Sequence, residues 1–139
     1  MLVGELMQAL EMMKTHVQRV TPETPIRVAL DMMDLYQTPA LPVVNAETQP
    51  IGILTEGDVA RFLLHAHDPD ELSSLNVEKI ATYPVFTVVQ SAMLAEVCPI
   101  LLAKGFKRTP VVSEEGVLIG TLSRVDLLQW TLDQKADSE

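Results

Sequence analysis

Ile51-Gly52-Ile53-Leu54-Thr55-Glu56-Gly57-Asp58 returns later in the chain as Ile119-Gly120-Thr121-Leu122-Ser123-Arg124-Val125-Asp126. Leu41-Pro42-Val43-Val44 returns as Thr109-Pro110-Val111-Val112, and both pairs stand 68 residues apart. The register holds without a gap from Val17/Val85 to Leu64/Leu132. Chance seldom keeps one register through two separate motifs, so the chain is a duplication, and that decides how its fold is read.

Each half reads as one strand–helix–strand–strand–helix unit. A short apolar strand opens it, Val17–Val20 or Val85–Val89. In the first half Thr24 is a good N-cap, with Pro25 at the first helical position. Ile26, Ala29, Leu30 and Met33 follow at helical spacing. In the second half Ser91 is placed to cap a run with Leu94, Val97, Cys98, Leu101 and Leu102, and Gly105 to stop it. Pro99 falls inside that run and predicts a bend or break. Strands 41–44 with 51–55 and 110–113 with 117–122 come next, joined by turn-forming residues. A helix starting near Asp58 or Asp126 closes each unit, with Val59, Phe62 and Leu63 or Leu127, Leu128 and Trp130 available for the core. The expected organisation is an N-terminal helix or lead-in segment over 1–16, repeat one over 17–64, a polar linker and lead-in over 65–84, repeat two over 85–132, and a frayed acidic tail over 133–139.

Composition narrows the function. Of 139 residues, 47% are hydrophobic and 21% charged, an ordinary globular balance. Ten basic against nineteen acidic residues leave −9, the wrong sign for a nucleic-acid surface. No apolar run approaches the ~18 residues of a membrane span. No Lys or Arg precedes Lys14, so a signal peptide is not expected. A soluble cytoplasmic protein is the expectation. The lone Cys98 allows no internal disulfide and reads as a small core residue. His65-x-His67-Asp68 has the look of a metal site but sits in a polar stretch without fixed support, so no metal is expected. Met7, Met12, Met13, Met32 and Met33 fit core-facing stripes. Leu2, Leu6, Leu10 and Met13 read as an amphipathic N-terminal helix.

The repeated element is apolar-Gly-x-x-[Thr/Ser]-x-x-Asp, running from a strand into a helix. The glycine admits close approach of a neighbour or ligand. Thr55 or Ser123 sits where free N–H groups and the helix dipole favour an anion. Asp58 or Asp126 lies one turn on, where a carboxylate can accept two hydrogen bonds from a vicinal diol such as ribose. A single Thr/Ser-x-x-Asp is a common helix cap; two in the same context carry more weight.

These motifs resemble the tandem cystathionine-β-synthase (CBS) domain pair, or Bateman module, over residues ~13–132. Asn76-Val77-Glu78-Lys79-Ile80 is similar to that family's lead-in segment. The resemblance implies an α/β (α+β) fold of two βαββα repeats packed sheet against sheet about a pseudo-twofold axis. It implies clefts that bind AMP, ADP, ATP or S-adenosylmethionine as a regulatory ligand, with no cofactor required. It also implies Asp58 and Asp126 on ribose, and Thr55 and Ser123 near phosphate. Gly52, Gly120 and the residues ahead of each Pro-Val-Val, Thr38 and Ala40 among them, would border the ligand. The halves differ at the phosphate position. Repeat two has Lys107, Arg108 and Arg124, where repeat one has Pro39, Ala40 and Glu56. A guanidinium can hold phosphate through two donors and a carboxylate repels it, so the Ser123/Asp126 site should dominate.

No nucleophile–base pair or paired-carboxylate cleft stands out, so an enzyme is not expected. The leading expectation is a ligand-sensing regulatory module acting on an unidentified protein. The alternative is a structural dimerisation module with empty clefts. A homodimer is expected in either case, from the apolar surplus and the N-terminal stripe.

Overall fold

A computed structural model describes residues 6–65 and 68–137. The chain divides into two compact units. One, the first-repeat unit, is Gln18–Val85; the other, the second-repeat unit, joins Met1–Val17 to Phe86–Glu139.

In chain order, α1 (Ala9–Met12) precedes α2 (Ile26–Leu35), β1 (Ala40–Val44), β2 (Pro50–Thr55), α3 (Glu56–His65) and α4 (Pro69–Ser73). A 3-10 turn at Val77–Lys79 leads on to β3 (Val88–Val89), α5 (Leu94–Lys104), β4 (Arg108–Val112), β5 (Leu118–Ser123) and α6 (Arg124–Asp137). The first-repeat unit pairs β1 with β2 antiparallel, and Val43 faces Gly52. The second pairs β4 with β5 in the same way, Val111 facing Gly120, and adds β3 parallel to β4. Each hairpin carries a register shift at its second valine, between Val43 and Val44 and between Val111 and Val112. Duplication thus reaches down to a single irregularity of the ladder.

The cores follow the apolar stripes. Ile26, Ala29 and Met33 of α2 close over Leu41, Val43 and Leu54, with Val59, Leu72 and Val77 completing the cluster. Leu94, Cys98 and Leu101 of α5 close over Val111 and Leu122, joined by Ala9, Val88 and Leu127. Apolar burial of this kind contributes roughly 25 cal/mol per Å² and is the main force holding each unit.

The lead-in segments are exchanged. The Ile26 amide donates to the Leu75 carbonyl at 3.0 Å, and the Leu94 amide donates to the Met7 carbonyl at 2.8 Å. Ile53 bridges Thr82, and Thr121 bridges Lys14. Each of these pairs repeats the 68-residue offset on both sides. The segment preceding repeat two therefore completes the unit of repeat one, and the N-terminal segment completes the unit of repeat two. The consecutive boundaries expected from the sequence do not contain this exchange.

Several local expectations are corrected by it. Neither Thr24 nor Ser91 caps its helix. The N-cap residues are Pro25 and Met93, without side-chain caps, because a lead-in carbonyl already takes the first helical amide. The strand expected at Val17–Val20 reduces to one bridge from Val20 to Val43. α1 is a single turn with Leu6 and Leu10 exposed; Ala9 is buried, and Met7, Met12 and Met13 pack on the core instead. Its backbone is committed elsewhere, with Ala9 and Leu10 amides donating to Ala92 and Gln90. Leu2 lies outside the described residues. The linker contains α4, capped by Asp68, whose carboxylate accepts the Asp70 amide at 3.0 Å, with Pro69 following. α5 is continuous through Pro99. Ala95, whose carbonyl loses its amide partner there, and Pro99 are both exposed, so water can serve the freed carbonyl. Leu63 and Leu128 face outward rather than into the cores. α6 runs to Asp137, so helix replaces a frayed tail up to that point.

Candidate functional site

In both units the motif turns the chain from the last strand directly into a helix, β2 into α3 and β5 into α6. Thr55 and Ser123 occupy the N-cap, and Asp58 and Asp126 the third helical position. From there the two halves part.

In the first-repeat unit the motif closes on itself. The Asp58 amide donates to Thr55 Oγ1 at 3.0 Å, and the Thr55 amide donates to Asp58 Oδ2 at 3.0 Å. That is a capping box, with two helix-end donors satisfied reciprocally. The other carboxylate oxygen, Oδ1, accepts the Thr82 hydroxyl at 2.9 Å and the Arg61 guanidinium. The Asp58 side chain is only 4% exposed, while that of Arg61 is 67% exposed. A buried carboxylate is tolerable only with such partners.

In the second-repeat unit the same pair is open. Among the described residues neither the Ser123 hydroxyl nor the Asp126 carboxylate makes a hydrogen bond. Asp126 is 28% exposed, and its one charged neighbour is the Lys14 ammonium, 3.9 Å away and 68% exposed. Lys14 replaces Thr82 at the 68-residue offset, and Gln129 replaces Arg61. With a long flexible ammonium and an amide in place of a short hydroxyl and an arginine, the carboxylate keeps a single ion pair, to Lys14, among the described residues.

The basic residues singled out by sequence gather at this end of the sheet. Arg108 is the cross-strand partner of Ser123, so their side chains share a face, as Ala40 and Thr55 do in the first unit. The Lys107 carbonyl accepts the Arg124 amide at 2.9 Å, and the Pro39 carbonyl accepts that of Glu56 at 3.0 Å. Among the described residues Lys107 and Arg108 make no side-chain bond. Arg124 is employed differently: its guanidinium donates to the Gly105 carbonyl at 3.1 Å. Gly105 is the left-handed cap of α5, where the helix dipole favours a cation. Thr38 is buried, and its hydroxyl donates to the Ala40 carbonyl at 2.9 Å. Lys104, absent from the sequence expectations, lies 4.9 Å from the Phe86 ring centre, and Phe86 stands 6.1 Å from Phe106.

The motif glycines serve the exchanged segments. A Cβ on Gly52 would sit 2.6 Å from the Tyr83 ring and 2.9 Å from the Thr82 carbonyl oxygen. On Gly120 it would meet Met13 Sδ at 2.6 Å and the Lys14 carbonyl oxygen at 2.7 Å. The close approach anticipated at these glycines is that of the lead-in chain. Tyr83, packed there, has its phenol pKa raised by burial and by the Glu78 carboxylate. Of the possible metal residues, His67 lies outside the described residues and Asp68 is engaged as the α4 cap. Among the described residues no cluster of His, Cys, Asp and Glu is arranged to hold a metal ion. No described helix is long and apolar enough to cross a membrane.

Comparison with known proteins agrees with this architecture. The CBS domain profile matches residues 3–65 and 77–133. An uncharacterised protein of Methanopyrus kandleri is 32% identical over 108 residues, covering 77% of this chain and 53% of that protein. The inosine-5'-monophosphate dehydrogenase of Aquifex aeolicus is 30% identical over 110 residues, 79% of this chain but 21% of the enzyme. The chain thus spans about half the length of the first relative and a fifth of the second. Among solved structures, a Methanocaldococcus jannaschii protein offered as an archaeal homologue of g-AMPK superposes with a TM-score of 0.83 at 26% identity, covering 92% of this chain and 51% of that one. CBSX2 in complex with AMP superposes with a TM-score of 0.75 at 24% identity, covering 92% and 98%. With the profile matched in both repeats and the strand-to-helix motif in place twice, the chain belongs to the CBS domain family as a tandem pair.

Proposed function

We propose that the chain is a regulatory module with one dominant adenosyl-ligand site, centred on Ser123 and Asp126 of the second-repeat unit. One observation carries this reading: the hydroxyl and carboxylate that close on each other in repeat one make no hydrogen bond among the described residues in repeat two. A ribose diol can donate to Asp126, while Ser123, the α6 N-terminus and Arg108 face a phosphate. That the same fold holds AMP in CBSX2 supports an adenine nucleotide as the class to try first. S-adenosylmethionine, which lacks a phosphate, would use Asp126 without needing Arg108. The regulated protein, and a cytoplasmic setting, belong to the same proposal.

Titration calorimetry with AMP is the test. Asp126→Ala should weaken binding by about 1.5–3 kcal/mol, the scale of hydrogen bonds to a charged group. No heat with AMP, adenosine, ATP or S-adenosylmethionine would favour the second reading, a ligand-free dimerisation module. Leu64 and Leu132, equivalent in the two repeats and both largely exposed, give that reading its support. A homodimer fits both readings. Light scattering at micromolar concentration should return twice the 15.3 kDa chain mass, and a single-chain mass would remove it.

A further inference from the structure

In the first-repeat unit the arginine one turn beyond the motif occupies the place a ligand would take. The Asp58 carboxylate offers about four lone-pair positions. Three are filled: the Thr55 amide on Oδ2, and the Thr82 hydroxyl and Arg61 guanidinium together on Oδ1. A vicinal diol needs two acceptors, and one remains. Without Arg61 each oxygen would have one position open, the pattern a diol requires.

The guanidinium is also seated on the helix end itself. A Cβ built on Gly57 would lie 3.3 Å from Arg61 Nη1, so the first turn of α3 leaves room for the arginine by having glycine there. Repeat two has Val125 and Gln129 at these positions, a bulkier first-turn residue and no cation. The two differences point the same way: glycine lets the guanidinium lie close on the first turn, and repeat two has neither the glycine nor the cation. Glu56, in the first turn of α3, adds negative charge to this helix start, which disfavours a phosphate there.

We propose that Arg61 is a built-in plug, an intramolecular cation that keeps the repeat-one site shut against adenosyl ligands and so sets the stoichiometry at one per chain. This rests on the reading of Thr55/Asp58 as a degenerate copy of the Ser123/Asp126 site. Arg61 is largely exposed and its removal leaves the capping box intact, so the plug can be taken out without dismantling the helix start.

The test is AMP titration into four versions of the 139-residue chain: wild type, Arg61→Gln, Asp126→Ala, and Asp126→Ala with Arg61→Gln. Gln is the residue repeat two carries at the equivalent position. Arg61→Gln should raise stoichiometry from one AMP to two. In the Asp126→Ala background it should tighten residual AMP binding by about tenfold, the factor of one further hydrogen bond to a charged group. General electrostatics predict the reverse, because removing a cation from a chain of net charge −9 disfavours an anion. Unchanged or weaker AMP binding in the double variant overturns the plug; weaker binding would make Arg61 a phosphate holder instead. Should the double variant melt early, Arg61→Lys replaces it, keeping the charge but losing the fork, and a gain of about threefold is then expected. If the wild type takes up no AMP, the Ser123/Asp126 reading fails, and the double variant still decides Arg61 alone.

Discussion

Asp58 and Asp126 descend from one position of a duplicated motif and now do different work. Asp58 is buried and bonded to the Thr55 amide, the Thr82 hydroxyl and Arg61; it holds its own helix start together. Asp126 is partly exposed, and among the described residues its one partner is the Lys14 ammonium 3.9 Å away. The backbone around them is the same, down to the register of each hairpin. What sets the two carboxylates apart is side chains at matched positions, among them Thr82 against Lys14, Arg61 against Gln129, and Gly57 against Val125. Equal folds therefore do not make equal sites. A carboxylate becomes available to a ligand only where its own neighbours decline to saturate it.

The largest effect tests what the two halves share. Gly52→Ala and Gly120→Ala each push a methyl into the exchanged lead-in segment, against the Thr82 or Lys14 carbonyl. Neither backbone can move without loosening its bridge to β2 or β5. Each substitution should cost about 3 kcal/mol, the upper part of the overpacking range, read from urea unfolding. A loss below about 1 kcal/mol at either glycine would mean that its lead-in segment is not tightly seated, and that the halves differ in fold as well as in site.

The next effect tests where they part. Asp58→Ala removes three hydrogen bonds at once and leaves the Thr55 amide without its acceptor. The expected loss is about 2 kcal/mol, as for a buried donor stripped of its partner. Among the described residues Asp126→Ala removes no hydrogen bond, only a first-turn carboxylate and a weak pair with Lys14, so about 0.5 kcal/mol is expected. Thermal unfolding of the two variants side by side is sufficient. Equal losses would erase the distinction between a structural and an available carboxylate.

How much of this was legible beforehand follows from the range of each interaction. The duplication, the hairpins and the strand-to-helix motif are local patterns and stand in the sequence as residues at fixed spacing. The exchange of lead-in segments is a long-range pairing. Nothing in the local pattern of Met7–Lys14 or Leu75–Thr82 says which sheet edge it will join, although the 68-residue offset reaches both. α4 did have a local signal, Asp68-Pro69 followed by Asp70 and Glu71, an N-cap, a first-position proline and an acidic first turn. Its polar composition masked it. At the site, the basic set around Ser123 was legible from charge, but its division was not. Arg124 turns back to the Gly105 carbonyl because a left-handed helix cap lies within its reach, a fact of folding rather than of sequence spacing. Arg61 lies one turn from Asp58, a spacing at which an ion pair can always be suspected; the buried carboxylate is what gives it consequence.

The smallest effect separates the phosphate from the rest of the ligand. Arg108 stands across the ladder from Ser123, while Ala40 stands across from Thr55, so only repeat two presents a guanidinium on that face. The chain as a whole carries −9, and a nucleotide must be held by local positive charge against that field. Because Arg108 is exposed and without a side-chain partner among the described residues, it is available but screened. Arg108→Ala should therefore weaken AMP binding by about 1 kcal/mol at low salt, less than a buried charged hydrogen bond because the pair is solvent-screened. The difference should shrink as ionic strength rises and the Debye length falls below ~10 Å. Adenosine, with no phosphate to lose, should bind wild type and variant alike. An equal drop for adenosine would place Arg108 on the base or in the support of β4, and the phosphate end of the site would have to be sought at Lys107 instead.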